Sequence, residues 1–167
     1  MKVYGDKIYE QQFSTRVWGK YPSEEVIRFF MRAKKELRGS DLKALDIGCG
    51  TGACSWTMAK EGAMVTAIDG APSGLEKVNA LAREFGVNAT IEVVHCDITR
   101  PKAFLNSTYD IMVDNYALYS NKEVQTLNGF REFFDLLKTG GLFLTCCFGK
   151  KTTGGRQHGH RRVSSES

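Results

Sequence analysis

The run Leu45-Asp46-Ile47-Gly48-Cys49-Gly50-Thr51-Gly52 sets three glycines at alternate positions just after an acid. Glycine allows a tight turn and lets a ligand approach bare backbone. The spacing is G-x-G-x-G, whereas the loop that seats a dinucleotide pyrophosphate runs G-x-G-x-x-G/A. Asp69 lies 21 positions after Gly48, at the end of an apolar run and directly before Gly70. A carboxylate placed there can accept both hydroxyls of a ribose, or it can cap a turn. Asp97 closes a third such run in Cys96-Asp97-Ile98. It can accept the amino group of an adenine with Ile98 against the ring, or serve a surface turn. Three acids or loops at three successive run ends point to a nucleoside-binding crevice.

Groups able to move a proton are few. His95 ends the third run, and Asp114 and Tyr116 follow the fourth in Asp114-Asn115-Tyr116-Ala117. These three are the candidate catalytic residues. His158 and His160 form H-G-H near the end, which is a poor metal site without partners, so no metal is expected. The five cysteines include no C-x-x-C spacing, which speaks against a zinc knuckle or a redox pair. Cys146 and Cys147 are adjacent on a strand pattern and face opposite sides, as small apolar fillers do.

The elements that must carry these residues follow from the pattern. Lys43–Ile47, Met64–Asp69, Thr90–His95, Tyr109–Asp114 and Leu142–Phe148 read as strands, apolar on both faces. Helical patterns fill the gaps over Gly52–Glu61, Pro72–Phe85 and about Lys122–Lys138, the last ended by Thr139-Gly140-Gly141. Pro22–Leu37 is an amphipathic helix with Val26, Phe29, Phe30, Ala33 and Leu37 on one face. Strands alternating with helices imply β-α-β units and a parallel sheet. The chain divides into a lead-in (1–21), a body (22–149) and a basic tail (150–167) read as disordered.

These features together resemble the cofactor half of class I S-adenosylmethionine-dependent methyltransferases over residues 42–148. Leu45 to Gly52 is similar to the family's first motif, Asp69 to its ribose acid, and Cys96-Asp97-Ile98 to its adenine-contacting turn. Leu137-Lys138-Thr139-Gly140-Gly141 is similar to the L-K-P-G-G helix exit, with Thr139 in place of the proline. Val17-Trp18-Gly19-Lys20-Tyr21-Pro22 resembles the W-G-x-x-P lead-in of small-molecule and glycan-modifying members. Nucleic-acid amino-methyltransferases carry a proline pair after the fourth strand, and none stands beside Asn115 here. The resemblance implies a Rossmann-like α/β sheet of about five strands in the order 3-2-1-4-5, helices on both faces, and S-adenosylmethionine as cofactor. The implied cofactor-binding residues are Trp18, Asp46, Gly48, Cys49, Gly50, Gly52, Asp69, Gly70, Asp97, Ile98 and Asn115. The implied reaction is methyl transfer to a small molecule or a soluble glycan or metabolite. The rival readings are a module that binds the cofactor without turnover and a nicotinamide-dependent oxidoreductase.

Charge and composition fit a cytoplasmic enzyme with a small-molecule partner. Five of the 23 basic residues and one of the 19 acidic ones lie from Lys150 onward, which leaves 18 of each in residues 1–149. A neutral body gives no electrostatic case for nucleic acid. No apolar run approaches a membrane span. After Phe148 no alternating apolar run remains for the two antiparallel strands that complete the family's sheet. The expectation is a shortened domain whose fifth strand is an open edge, prone to self-association.

Overall fold

A computed structural model describes residues 7–149 apart from Val17 and Ser40. The tail, 150–167, and its expected disorder therefore lie outside the described residues. Five parallel strands make one sheet: β1 Lys43–Ile47, β2 Met64–Asp69, β3 Ile91–His95, β4 Tyr109–Asn115 and β5 Leu137–Cys146. Their order is β3-β2-β1-β4-β5, as expected, with the chain reversing direction across the sheet between β1 and β4. The helices are α1 Lys7–Thr15, α2 Glu24–Leu37, α3 Ala53–Lys60, α4 Pro72–Glu84 and α5 Glu123–Leu136.

Alternation along the strands sends side chains into two layers. Ala44, Val65, Ile111 and Val113 pack with Val26 and Phe30 of α2 and Met58 of α3. Leu45, Ile47, Ile68 and Met112 pack on the other side with Phe133 and Leu136 of α5 and with Leu118. The sheet is thus covered on both faces, and its central strand β1 is buried from Ala44 to Ile47. Among the described residues no helix is long and apolar enough to cross a membrane.

Two features depart from the sequence reading. The lead-in, to which the sequence reading assigned no element, holds α1. This helix docks on α4 through polar contacts at both ends. Glu10 Oε2 accepts the Ser73 N–H at 3.2 Å, near the start of α4, and Ser73 Oγ donates to the Glu10 carbonyl. Lys77 Nζ donates to the Phe13 carbonyl and, at 2.9 Å, to that of Arg16. A cation on open carbonyls at a helix C-terminus is favourable. The second departure is at β5. The last helix was expected to reach Lys138, but α5 stops at Leu136, and Leu137 is already extended and paired with Tyr109. The ladder then slips, so that Ile111 faces Leu142. Gly140 takes a left-handed φ of 78° inside the slip. Leu137 gains contact with the buried layer of Tyr109 and Phe133, and the glycine pair absorbs the surplus chain.

Candidate active site

The carboxyl ends of β1 to β4 surround a cavity of about 270 Å³. Strand ends at a switch in sheet order are where open α/β sheets bind ligands. The floor is the loop after β1. Gly48 and Gly50 have left-handed φ of 63° and 52°. A Cβ on Gly50 would meet the Phe13 ring at 3.2 Å, so the bare backbone lets this ring pack on the loop.

Asp69, at the end of β2, ties the loop in place. Its Oδ2 accepts the Gly50 N–H and its Oδ1 the Ala71 N–H, both at 2.8 Å. A carboxylate has about four acceptor positions, so with three N–H donors in reach it still retains one for a ligand. Burial raises the pKa of this carboxyl, and the N–H donors from Gly50, Ala71 and Gly70 counter it. Asp97, buried after β3, accepts from the Thr99 N–H at 3.0 Å and from Thr99 Oγ1 at 2.7 Å, both on Oδ1. Its Oδ2 has Arg100 at 3.5 Å. Asp46 lines the inner wall and is 1% exposed. Burial pushes its pKa to about 7, the Ser55 hydroxyl at 2.5 Å opposes this, and the charges of Asp69 and Asp114 add to it. Three of the five thiols, Cys49, Cys54 and Cys96, also line the cavity, and burial raises each pKa, that of Cys96 to about 12. They are neutral wall atoms near neutrality.

An aromatic cover lies against the glycine loop and lines the cavity with it. Trp18 meets Phe13 edge-on at 5.6 Å and Tyr9 at 6.2 Å between centroids. The Thr51 hydroxyl donates to the Trp18 carbonyl at 3.0 Å and joins the lead-in to the glycine loop. Across the mouth, Tyr9 Oη and Ser120 Oγ share a hydrogen bond of 2.9 Å.

Ten of the eleven residues expected to hold the cofactor line this cavity: Trp18, Asp46, Gly48, Cys49, Gly50, Asp69, Gly70, Asp97, Ile98 and Asn115. Gly52 does not. Its φ is 94°, and an added Cβ would stand 3.1 Å from Val78, so it serves the close packing of loop on α4. Two of the three proton-transfer candidates also stand outside. His95 is exposed, with Nε2 at 3.1 Å from the Gly70 carbonyl. Asp114 is buried behind the wall: Oδ1 accepts from the Ala117 and Leu118 N–H groups and Oδ2 from the Thr145 hydroxyl at 2.7 Å. It shapes the turn after β4. Tyr116 does line the mouth. Sequence reasoning missed Tyr9, Phe13, Thr51, Ser120 and Asn121. Tyr9 and Phe13, spaced as helix neighbours, carried the one readable signal.

Comparison with known proteins shows the family and the fold. Residues 44–141 match the family model described as "Methyltransferase domain". The chain is similar to a sterol 4-C-methyltransferase of Caenorhabditis elegans, 32% identical over 113 residues, or 67% of this chain and 33% of that protein. It is also similar to a ubiquinone biosynthesis O-methyltransferase of Rickettsia canadensis, 38% identical over 74 residues, 44% of this chain and 30% of that one. The chain spans about a third of the length of these curated relatives. Among solved structures it resembles the glycopeptide N-methyltransferase MtfA complexed with sinefungin, with TM-score 0.64, 19% identity, and coverage of 75% of this chain and 49% of that one. It resembles equally an S-adenosylmethionine-dependent methyltransferase from Geobacter sulfurreducens in complex with S-adenosyl-L-homocysteine, with TM-score 0.62, 18% identity, and coverage of 83% and 54%. At these identities the structural likeness is one of fold.

Proposed function

The chain belongs to the class I S-adenosylmethionine-dependent methyltransferase family, and on that premise we propose that it binds S-adenosylmethionine at the ends of β1 to β4 and methylates a small molecule. The observation that carries this is Asp69, a buried carboxylate whose Oδ2 holds the glycine loop through Gly50 and whose Oδ1 holds the turn after β2 through Ala71, with an acceptor position left for a ribose hydroxyl. Asp97 and Ile98 would take the adenine, the backbone of Gly48 to Gly50 the remainder, and Trp18 with Tyr9 and Phe13 would cover it. The wall fits this ligand in charge as well. Asp46, Asp69 and Asp97 are the charged residues that line it, and they suit a ligand whose sulfur is positive.

When bound, S-adenosylmethionine supplies a methyl carbon activated by a sulfonium and open to in-line displacement. Such a reaction needs alignment of the acceptor and exclusion of water more than a strong base. The aromatic cover and the Tyr9–Ser120 bond exclude water, and the turn set by Asp114 fixes Asn115 and Tyr116 at the acceptor side. In this scheme the body, 22–149, binds the cofactor and the lead-in, 1–21, closes over it.

The surroundings complete the proposal. A neutral body favours a small-molecule acceptor over nucleic acid. An odd set of five cysteines, three of them buried as thiols, suits the reducing cytoplasm. Among the described residues β5 is a sheet edge flanked by Phe134, which is 61% exposed. That edge offers a route to self-association.

Titration calorimetry with S-adenosyl-L-homocysteine and with NADH tests the central reading. One site for the former and negligible heat from the latter are expected. Preferred binding of NADH overturns it.

A further inference from the structure

At the mouth of the cavity, on the side away from Asp69 and Asp97, three rings meet. Tyr116 stacks on Phe148 with centroids 4.7 Å apart and planes 27° apart. Tyr119 stands edge-on to both, at 6.3 Å and 5.8 Å. Tyr116 and Phe148 are each 38% exposed, far more than rings of a packed core.

The backbone holds Tyr116 there against its preference. Its φ is 64°, one of two such values at non-glycine positions among the described residues. Left-handed backbone is costly for an aromatic residue and persists only where its surroundings enforce it. The enforcement is visible. Asp114 captures the next two N–H groups, and the Tyr116 N–H donates to the Cys146 carbonyl on β5 at 3.2 Å. Strain of this kind clusters at ligand clamps, where it aims a side chain.

Charge narrows the ligand. Among the described residues, those lining the cavity include no lysine, arginine or histidine, and three acids. An anionic acceptor would meet like charge on this wall. The polar cavity-lining groups next to Tyr116 in the chain are the neutral Asn115, Ser120 and Asn121, and the one acid acting on its hydroxyl, Glu25, adds negative charge. Aromatic faces attract flat conjugated rings by offset stacking and cations by their quadrupole.

We propose that the acceptor of this methyltransferase is a flat, conjugated ring without anionic groups, stacked on Tyr116 with Phe148 and Tyr119 behind it. This assignment rests on the cofactor reading for its chemistry, but the platform can be tested separately.

The probes are 2-naphthol, its saturated analogue decahydro-2-naphthol, and 6-hydroxy-2-naphthoate. Binding to the full chain is measured by calorimetry with and without S-adenosyl-L-homocysteine. Naphthol should bind at least about 10-fold more tightly than either comparison compound. Tyr116→Asn, which suits left-handed backbone and removes the ring, should erase that preference. Phe148→Ala, outside the cavity wall, should weaken it and leave the affinity for S-adenosyl-L-homocysteine unchanged. Equal binding of the saturated or the anionic compound overturns the platform, as does a preference that survives Tyr116→Asn. If naphthol shows the preference but S-adenosyl-L-homocysteine does not bind, the platform stands and the cofactor reading falls.

Discussion

Gly48 and Ala117 are so close that a Cβ built on the glycine would stand 2.2 Å from the Ala117 Cβ. The loop after β1 and the turn after β4 therefore touch with no space for another methyl. Neither side can yield easily. Gly48 has left-handed φ, and Ala117 is held by its N–H bond to Asp114 at 2.9 Å.

Gly48→Ala is expected to destabilise the fold by about 2–4 kcal/mol, through overpacking and backbone strain together. Urea unfolding checks this. Gly62→Ala is the control: it also has positive φ, 96°, but nothing lies within 4 Å of an added Cβ, so only the strain remains, about 1 kcal/mol. Equal losses for the two would mean that the contact with Ala117 relaxes freely.

Tyr9→Phe removes the hydrogen bond to Ser120 and keeps the ring packed on Trp18. The bond contributes about 0.5–1.5 kcal/mol, so S-adenosyl-L-homocysteine should leave about 2- to 10-fold faster. Stopped-flow displacement reads this rate directly. An unchanged rate would show that Glu10 and Lys77 hold α1 closed without help.

Asp69→Ala should weaken S-adenosyl-L-homocysteine binding by at least about 10-fold, since charge-assisted hydrogen bonds contribute about 1.5–3 kcal/mol each. The Gly50 N–H loses its partner in the same variant, so circular dichroism must accompany the calorimetry. A folded variant with native affinity would assign Asp69 to the loop alone.

Asp46 links stability and binding to pH with opposite signs. Its folded pKa of about 7 lies above the ordinary 3.8. Between those values the folded chain keeps a proton that the unfolded chain has released. The contribution of Asp46 to stability is therefore greatest at the acid end and falls as pH rises to about 7. A cationic ligand beside it favours the carboxylate, so S-adenosylmethionine should bind more tightly as pH rises through about 7. Asp46→Asn should flatten both trends. Thermal melts and calorimetry between about pH 5.5 and 8.5 decide the matter. A wild-type affinity that falls with pH would contradict the placement of the cation.

Self-association is expected through β5 and the apolar residues beside it. Sedimentation over a concentration series should show reversible growth, reduced by Phe134→Lys at an exposed position. A monomer at every concentration removes β5 as an interface.

The sheet was readable because its signals are local. β1 to β4 are short apolar runs with a glycine or an acid at or just past the end, as at Gly48, Asp69, Asp97 and Asp114, whereas Lys138, Thr139 and the glycine pair interrupt β5, so only its second half was read. α1 was not readable because its reason for being helical is not local. Nine residues are too few for a stable isolated helix, and its docking partners Ser73 and Lys77 stand more than sixty positions later. His95 and Asp114 were drawn into the site by residue type. The structure separates them by direction: one side chain turns out to the Gly70 carbonyl, the other inward to cap a turn. Gly52 has the same composition signal as Gly48, and only the approach of Val78 reveals its different task.

The clasp between Tyr9 and Ser120 spans 111 positions of chain, and this separation sets a timetable for synthesis. A ribosome adding about 5–20 residues per second places Ser120 roughly 6–22 seconds after Tyr9. Ser73 and Lys77 of α4, on which α1 docks, are made well before Ser120, so α1 can be seated before its clasp exists. Until α4 is made, Phe13, which is buried against it in the finished fold, stays open to solvent. The hydrogen bond across the mouth of the crevice is thus made later than the docking of the helix that carries it.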